Sequence, residues 1–328
     1  MMSKLAKMSK IFAMLIMVLA AVSAGAVAKD IEVVTDTFRL PGTLELPEKM
    51  VGKVPCVVFV HGSGPNDRDE TLGPNKFFKD LADSLAVNGI ASVRYDKRTL
   101  VYRANFVPEG KQANYDFETI DDAVSALKMA MEMPEIDSEK VYVLGHSLGA
   151  MLAPEIARRV PGIAGVIMVA PPAQKLPEMI EYQCDYLKGI YAELGASDAV
   201  AMMEQMKKQA ENAQKLGTPE YDAEIGLPQG LTESYIEADK AYDPVSTAKG
   251  LTCRMFLLFG MRDYQVPYTQ YAIWQRGLAS NKNAIVKMYF GLNHLMRAGQ
   301  GKPTPLDYSQ KTAMAAETAQ DIVTFIAK

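Results

Sequence analysis

The stretch Val141 to Ala150, VYVLGHSLGA, holds a serine between two glycines in the pattern G-x-S-x-G, with Ser147 at its centre. A serine hydroxyl is a poor nucleophile until a base takes its proton, and a histidine oriented by a carboxylate does this best near neutral pH. The pattern alone arises by chance about one time in ten in a chain of this length, so the surrounding sequence has to carry the assignment. An apolar strand before the serine and a helix after it place Ser147 on a strained turn at a sheet edge, beside the positive end of the helix. In that topology a carboxylate and then a histidine follow in chain order, each on a loop after a later strand. FLLFGMRDYQVP sets Asp263 just after a strand, and YFGLNHLM sets His294 just after the next one. Asp263 also reads as a turn or capping aspartate ahead of Val266-Pro267. Of the three histidines, His61, His146 and His294, the last is the one that follows Asp263.

Acyl transfer through such a serine needs two preorganised N–H donors for the oxyanion of the tetrahedral intermediate. Leu148, directly after the nucleophile, is one candidate. The other is Ser63, in the loop HGSGPNDRDE that follows the strand VPCVVFVH; the competing reading of that loop is a plain glycine-rich turn. His61 opens the loop and is expected to hold its shape, and His146 to be a packing residue. Two charged clusters, 66–70 and 94–98, follow strands; Arg–carboxylate pairs that lock loops are the expected role, with substrate contact as the alternative. Gln265, Tyr264, Tyr182, Tyr186 and Tyr191 are candidates for an acyl pocket, and no spacing selects among them.

These residues need a scaffold. Apolar runs at 54–62, 90–96, 140–146 and 162–172 alternate with helical patterns at 74–89, 117–133 and 147–160. That series specifies an α/β fold with a mostly parallel central sheet and helices on both faces. The rhythm stops at Pro172, where long, polar, Met-rich helical segments begin, and resumes with a strand at 251–260, a helix near 267–279, a strand at 283–291 and a helix near 309–327. Residues 29–171 and 251–328 are therefore read as one core, and 172–250 as a helical cap inserted over the C-terminal sheet edge, where open α/β sheets bind ligands; an unrelated helical appendage is the alternative. IEVVTDTFRLPGTLELP reads as two strands joined by a Pro-Gly turn.

The combination HGSGPNDRDE, RYDKRT, GHSLGA, GMRDYQVP and GLNHLM resembles the α/β-hydrolase superfamily, and more narrowly is similar to bacterial carboxylesterases of the dienelactone-hydrolase-like group, over about residues 31 to 328. The resemblance implies Ser147 as nucleophile, Asp263 as acid and His294 as base, with Ser63 and Leu148 at the oxyanion hole. One departure bears on the substrate: dienelactone hydrolases proper carry a cysteine nucleophile, so ordinary ester hydrolysis is favoured here. The expectation is a serine carboxylesterase for short-to-medium acyl esters. A peptidase or acyltransferase with the same triad, and a non-catalytic binding protein of the same fold, are the alternatives.

Residues 1–28 carry Lys4, Lys7 and Lys10, the apolar run IFAMLIMVLAAV and an Ala26-Val27-Ala28 exit, the features of a secretory signal peptide cleaved after Ala28; an uncleaved anchor is the competing reading. The mature chain is thus expected to be periplasmic or secreted, without stable membrane association. Removing those lysines leaves 32 of the 35 basic residues against 39 acidic ones, which argues against a nucleic-acid partner. Cys56, Cys184 and Cys253 cannot all pair within one chain, and Cys56 and Cys253 are expected to be buried thiols. Without C-x-x-C or H-x-x-x-H spacing, no metal or other cofactor is expected. The sequence leaves the oligomeric state open.

Overall fold

The computed structural model describes residues 25–228 and 230–328; most of the stretch 1–28 read as a signal peptide, from Met1 to Ala24, lies outside the described residues. Strands β1 (Ala26–Thr35) and β2 (Phe38–Pro47) precede β3 (Val54–Val60), the two-residue strands β4 (Thr71–Leu72) and β5 (Asn75–Lys76), helix α1 (Phe77–Ala86), β6 (Ala91–Tyr95) and the single turn α2 (Arg98–Val101). Then come α3 (Asp121–Glu132), β7 (Ile136–His146), α4 (Leu148–Arg159) and β8 (Gly165–Val169). The helices α5 (Leu176–Glu193), α6 (Ser197–Gln214), α7 (Glu233–Ala241) and α8 (Pro244–Lys249) fill the stretch before β9 (Arg254–Gly260). After it come α9 (Tyr268–Gly277), β10 (Ala284–Tyr289) and α10 (Ala316–Ala327).

Eight strands form one sheet in the order β1-β2-β6-β3-β7-β8-β9-β10. β1 and β2 are antiparallel, β2 meets β6 antiparallel, and the strands from β6 to β10 run parallel. The central strands are buried along nearly their whole length, as strands covered on both faces must be. Each covering helix turns one apolar stripe to the sheet: Phe77, Phe78, Leu81, Leu85 on α1 and Ile322, Phe325, Ile326 on α10. From β3 the chain crosses first to β6 and then back to β7. Right-handed crossovers in opposite directions put their helices on opposite faces, and the reversal opens a crevice beyond the ends of β3 and β7.

Several boundaries differ from the sequence reading. The hairpin turn is at Asp36-Thr37, where Asp36 takes φ +52°, and Pro41-Gly42 lies inside β2. The pair is held extended because Pro41 O accepts from Asp96 N at 2.8 Å and Gly42 O from Arg68 Nη1 at 2.9 Å. Helix α1 starts at Phe77 because Gly73-Pro74 forms the turn between β4 and β5. The last helix starts at Ala316 rather than near 309. Asn75 Nδ2 takes the carbonyls of Tyr308 and Gln310 at 3.1 and 3.0 Å, and Ala315 N donates to Met296 O at 2.9 Å, so that segment is tied in extended form to other loops. Cys56 and Cys184 are buried, but Cys253 precedes β9 and is only half-buried.

The charged clusters lock loops. Arg68 grips Asp96 through Nε and Nη2 at 3.0 and 2.8 Å. Arg94 pairs with Glu45 at 2.6 Å, and Arg98 Nε bonds Asp122 Oδ2 at 2.9 Å beneath full burial. A buried pair adds little net stability, yet removing one partner strands the other's charge. Arg98→Met should therefore lower the urea unfolding free energy by about 3–5 kcal/mol. Arg98→Met combined with Asp122→Leu should recover most of that loss.

Candidate active site

The turn from β7 into α4 carries Ser147 at φ +52° and ψ −117°, a conformation that non-glycine residues avoid. Two glycines make it possible. A Cβ on Gly145 would lie 2.2 Å from Gly149 O, and one on Gly149 would lie 2.3 Å from Val60 O and 2.5 Å from His61 O. Bare backbone thus lets α4 start directly against the end of β3. Ser147 N donates to Val169 O at 2.9 Å, which anchors the turn to β8. Leu148 N–H is at the first position of α4 and so lacks an intrahelical acceptor. The Ser63 N–H likewise has no protein acceptor among the described residues.

Asp263 and His294 meet. His294 Nδ1 is 2.6 Å from Asp263 Oδ2, and both side chains are almost wholly buried. The other carboxylate oxygen, Oδ1, accepts from Gln265 N at 2.8 Å and Val266 N at 2.9 Å. Asp263 is therefore a turn-capping residue and the histidine's partner at once, one oxygen for each task. The histidine loop is wound around buried Asn293, whose Oδ1 accepts from Leu295 N and Arg297 N at 3.0 and 3.1 Å. Gly260 lets that loop cross the end of β9, since a Cβ there would fall 2.3 Å from Leu292 O.

Ser147 and His294 line one cavity of about 690 Å³, together with Gly62, Ser63 and Asn66 from the loop after β3. Its far wall comes from the segment between β8 and β9 and is mainly apolar, with Leu176, Met179 and Ile180 on α5, Met206 on α6 and Leu231 before α7. Gln265 lines it, but the suggested tyrosines do not. Tyr182, Tyr186 and Tyr264 form a stacked row, with Tyr186 and Tyr264 centroids 5.4 Å apart and 11° from parallel, and Tyr186 OH donates to Pro303 O at 2.8 Å. Stacked against each other, they brace the Asp263 turn rather than face the cavity. The tyrosine that does line it is Tyr235, on α7, whose hydroxyl donates to Glu118. Nothing in the spacing of Tyr235 or Glu118 marks them, because they are 117 residues apart. Among the described residues no group of three or more His, Cys, Asp or Glu side chains is arranged to hold a metal ion.

A profile of the alpha/beta hydrolase family matches residues 57–320, which spans every element of this site. The chain belongs to that family. It is 39% identical over 289 residues to Esterase EstD of Thermotoga maritima, a match that covers 88% of this chain and 66% of that protein, slightly less than two thirds of its length. Its fold is similar to that of Est1E from Butyrivibrio proteoclasticus, with a TM-score of 0.58 at 16% identity over 91% of this chain and 99% of that one. It is also similar to the Pyrococcus horikoshii acylaminoacyl peptidase, with a TM-score of 0.58 at 14% identity over 96% of this chain and 43% of that one.

In this alpha/beta hydrolase the remaining two histidines differ sharply. His61 is enclosed by Phe78 and Tyr95, and burial drives its pKa down to about 4, so it sits neutral under the loop it shapes. His146 does more than pack. Its Nε2 is 3.0 Å from His294 O, its ring centroid is 4.5 Å from that of His294, and Nδ1 lies 3.0 Å from Glu70 Oε2, close but off the axis of a straight hydrogen bond. Glu70 Oε1 in turn accepts from Gly62 N at 2.7 Å. Burial opposes charge on both groups, but their mutual attraction wins, raising the His146 pKa and lowering that of Glu70. The raised histidine stabilises the fold below its unfolded value near 6.5, a contribution lost as pH rises through the folded pKa. The lowered carboxyl stabilises it above 4.5, a contribution lost as pH falls through its own folded pKa. Both are present between about pH 4.5 and 6.5. Glu70→Gln keeps an acceptor for Gly62 but drops the charge, so its stability deficit in urea titrations should be largest at pH 5–6 and narrow as pH rises above about 6.5 through the folded pKa of His146. A deficit independent of pH would contradict this pairing.

Proposed function

We propose that this protein is a serine carboxylesterase that cleaves short-to-medium acyl esters. The observation that carries the reading is the strained turn holding Ser147 in the same cavity as His294, whose ring is bonded to buried Asp263. Ser147 Oγ attacks the ester carbonyl while His294 Nε2 takes its proton, and Asp263 keeps the ring oriented through Nδ1 and stabilises the imidazolium. The negative oxygen that develops is met by the N–H groups of Ser63 and Leu148, the latter strengthened by the start of α4. The alcohol leaves with the proton held by His294. Water then repeats the sequence on the acyl-enzyme and releases the acid.

The apolar wall from α5, α6 and the segment before α7 supports an acyl group as the part of the substrate bound there, and supports reading 172–250 as a cap. The name of the Thermotoga relative supports ester hydrolysis over other acyl transfers. The basic and apolar leader of residues 1–28 supports export and cleavage, with action in the periplasm or medium. No described helix is long and apolar enough to cross a membrane.

Ser147→Ala should cut kcat on p-nitrophenyl butyrate by about 10⁴- to 10⁶-fold, and Asp263→Asn by about 10⁴-fold. Hydrolysis by Ser147→Ala at the wild-type rate would overturn the assignment.

A further inference from the structure

The peptide between Gly62 and Ser63 is gripped from behind by a charge. Lys97, two residues beyond β6 and almost fully buried, donates from Nζ to Gly62 O at 2.8 Å, and Asn66 Nδ2 donates to the same oxygen at 3.1 Å. The preceding peptide is held too, because Gly62 N donates to Glu70. A planar trans peptide points its C=O and N–H in opposite directions. Fixing the Gly62 carbonyl toward Lys97 therefore aims the Ser63 N–H the other way, with Ser63 on the cavity wall and Gly62 packed beside Ser147. An ammonium on the carbonyl also draws electron density out of the amide and strengthens that N–H as a donor.

The ammonium is kept in place by a counter-charge. Lys97 Nζ lies 2.5 Å from Glu118 Oε1, and the second oxygen of Glu118 accepts from Tyr235. Burial keeps the Tyr235 hydroxyl protonated, raising its pKa well above the ordinary value, so it remains a donor. Three buried polar groups would be a costly arrangement for packing alone.

We propose that Lys97 is a positioning residue for ester hydrolysis: it orients and polarises the Gly62–Ser63 peptide so that the Ser63 N–H stabilises the tetrahedral intermediate. This rests on the serine esterase reading given above. Lys97 is buried behind the loop and is not among the residues that line the cavity, so its effect reaches the transition state through the peptide.

The test compares wild type with Lys97→Met combined with Glu118→Gln, which removes both charges so that neither is stranded, and with Asn66→Ala, which loosens the same carbonyl from a partly exposed position. For the double variant kcat on p-nitrophenyl butyrate should fall roughly 10- to 100-fold with KM within about threefold of wild type. Affinity for an alkyl boronic acid, which forms a tetrahedral adduct with the serine, should fall by the same factor. Asn66→Ala, which also frees the carbonyls of Ser63 and Gly64, should lower kcat and boronic acid affinity about 3- to 10-fold together; Lys97→Gln combined with Glu118→Gln, which removes the ammonium but keeps polar side chains at both positions, decides the matter if the first double variant does not fold. Unchanged kcat and boronic acid affinity in a folded variant overturn the proposal, as does a loss confined to KM or to melting temperature. If Ser147→Ala is inactive while these variants are unaffected, the triad stands and the role of Lys97 falls. If Ser147→Ala keeps wild-type activity, both fall.

Discussion

Contact between bare backbones at the end of β3 and the start of α4 is the constraint on which the site depends. Gly149 lies against the carbonyls of Val60 and His61, and Gly145 against that of Gly149, at distances no Cβ tolerates. Closing that gap forces the chain at Ser147 into positive φ and turns the serine out over the sheet edge. It also sets the loop after β3 beside the serine, since Gly62 follows His61 directly. The strained turn at Ser147, the helix start and the loop with Ser63 are therefore three consequences of one close approach, and none can move without the others.

Around that contact the charged residues act as fixings. Glu70 holds Gly62 N–H and His146, His146 holds the carbonyl of His294, and Lys97 holds Gly62 O. The two loops that supply the proposed base and oxyanion donor are thereby joined through buried polar groups rather than through apolar packing, which would leave their backbone amides free to turn. Directional bonds set a peptide plane or a ring tilt; hydrophobic contact sets mainly a distance. Two of these groups, Glu70 and Lys97, belong to the charged clusters expected to lock loops. The loops they lock are those of the site.

Where sequence reading and structure part, the cause is a long-range bond. Pro41-Gly42 has a turn's composition but is held inside β2 by Asp96 and Arg68; residues 309–315 have a helical pattern but are held extended by Asn75 and Met296. Of the tyrosines suggested for the pocket, Tyr182, Tyr186 and Tyr264 stack on one another, and Tyr235 lines it instead. His146 was legible as a residue beside Ser147 and illegible as a link to His294.

By itself the sequence determined the α/β order, the strand, turn and helix around Ser147, and the positions of Asp263 and His294 after successive strands, because apolar periodicity and small residues act over a few neighbours along the chain. The tertiary structure alone decided that Asp263 spends one oxygen on its turn and one on the histidine, that Glu118 meets Tyr235 across 117 residues, and that His146 reaches the carbonyl of His294 across 148. Those contacts depend on which strand ends the sheet brings side by side, and strand order is a property of the whole fold.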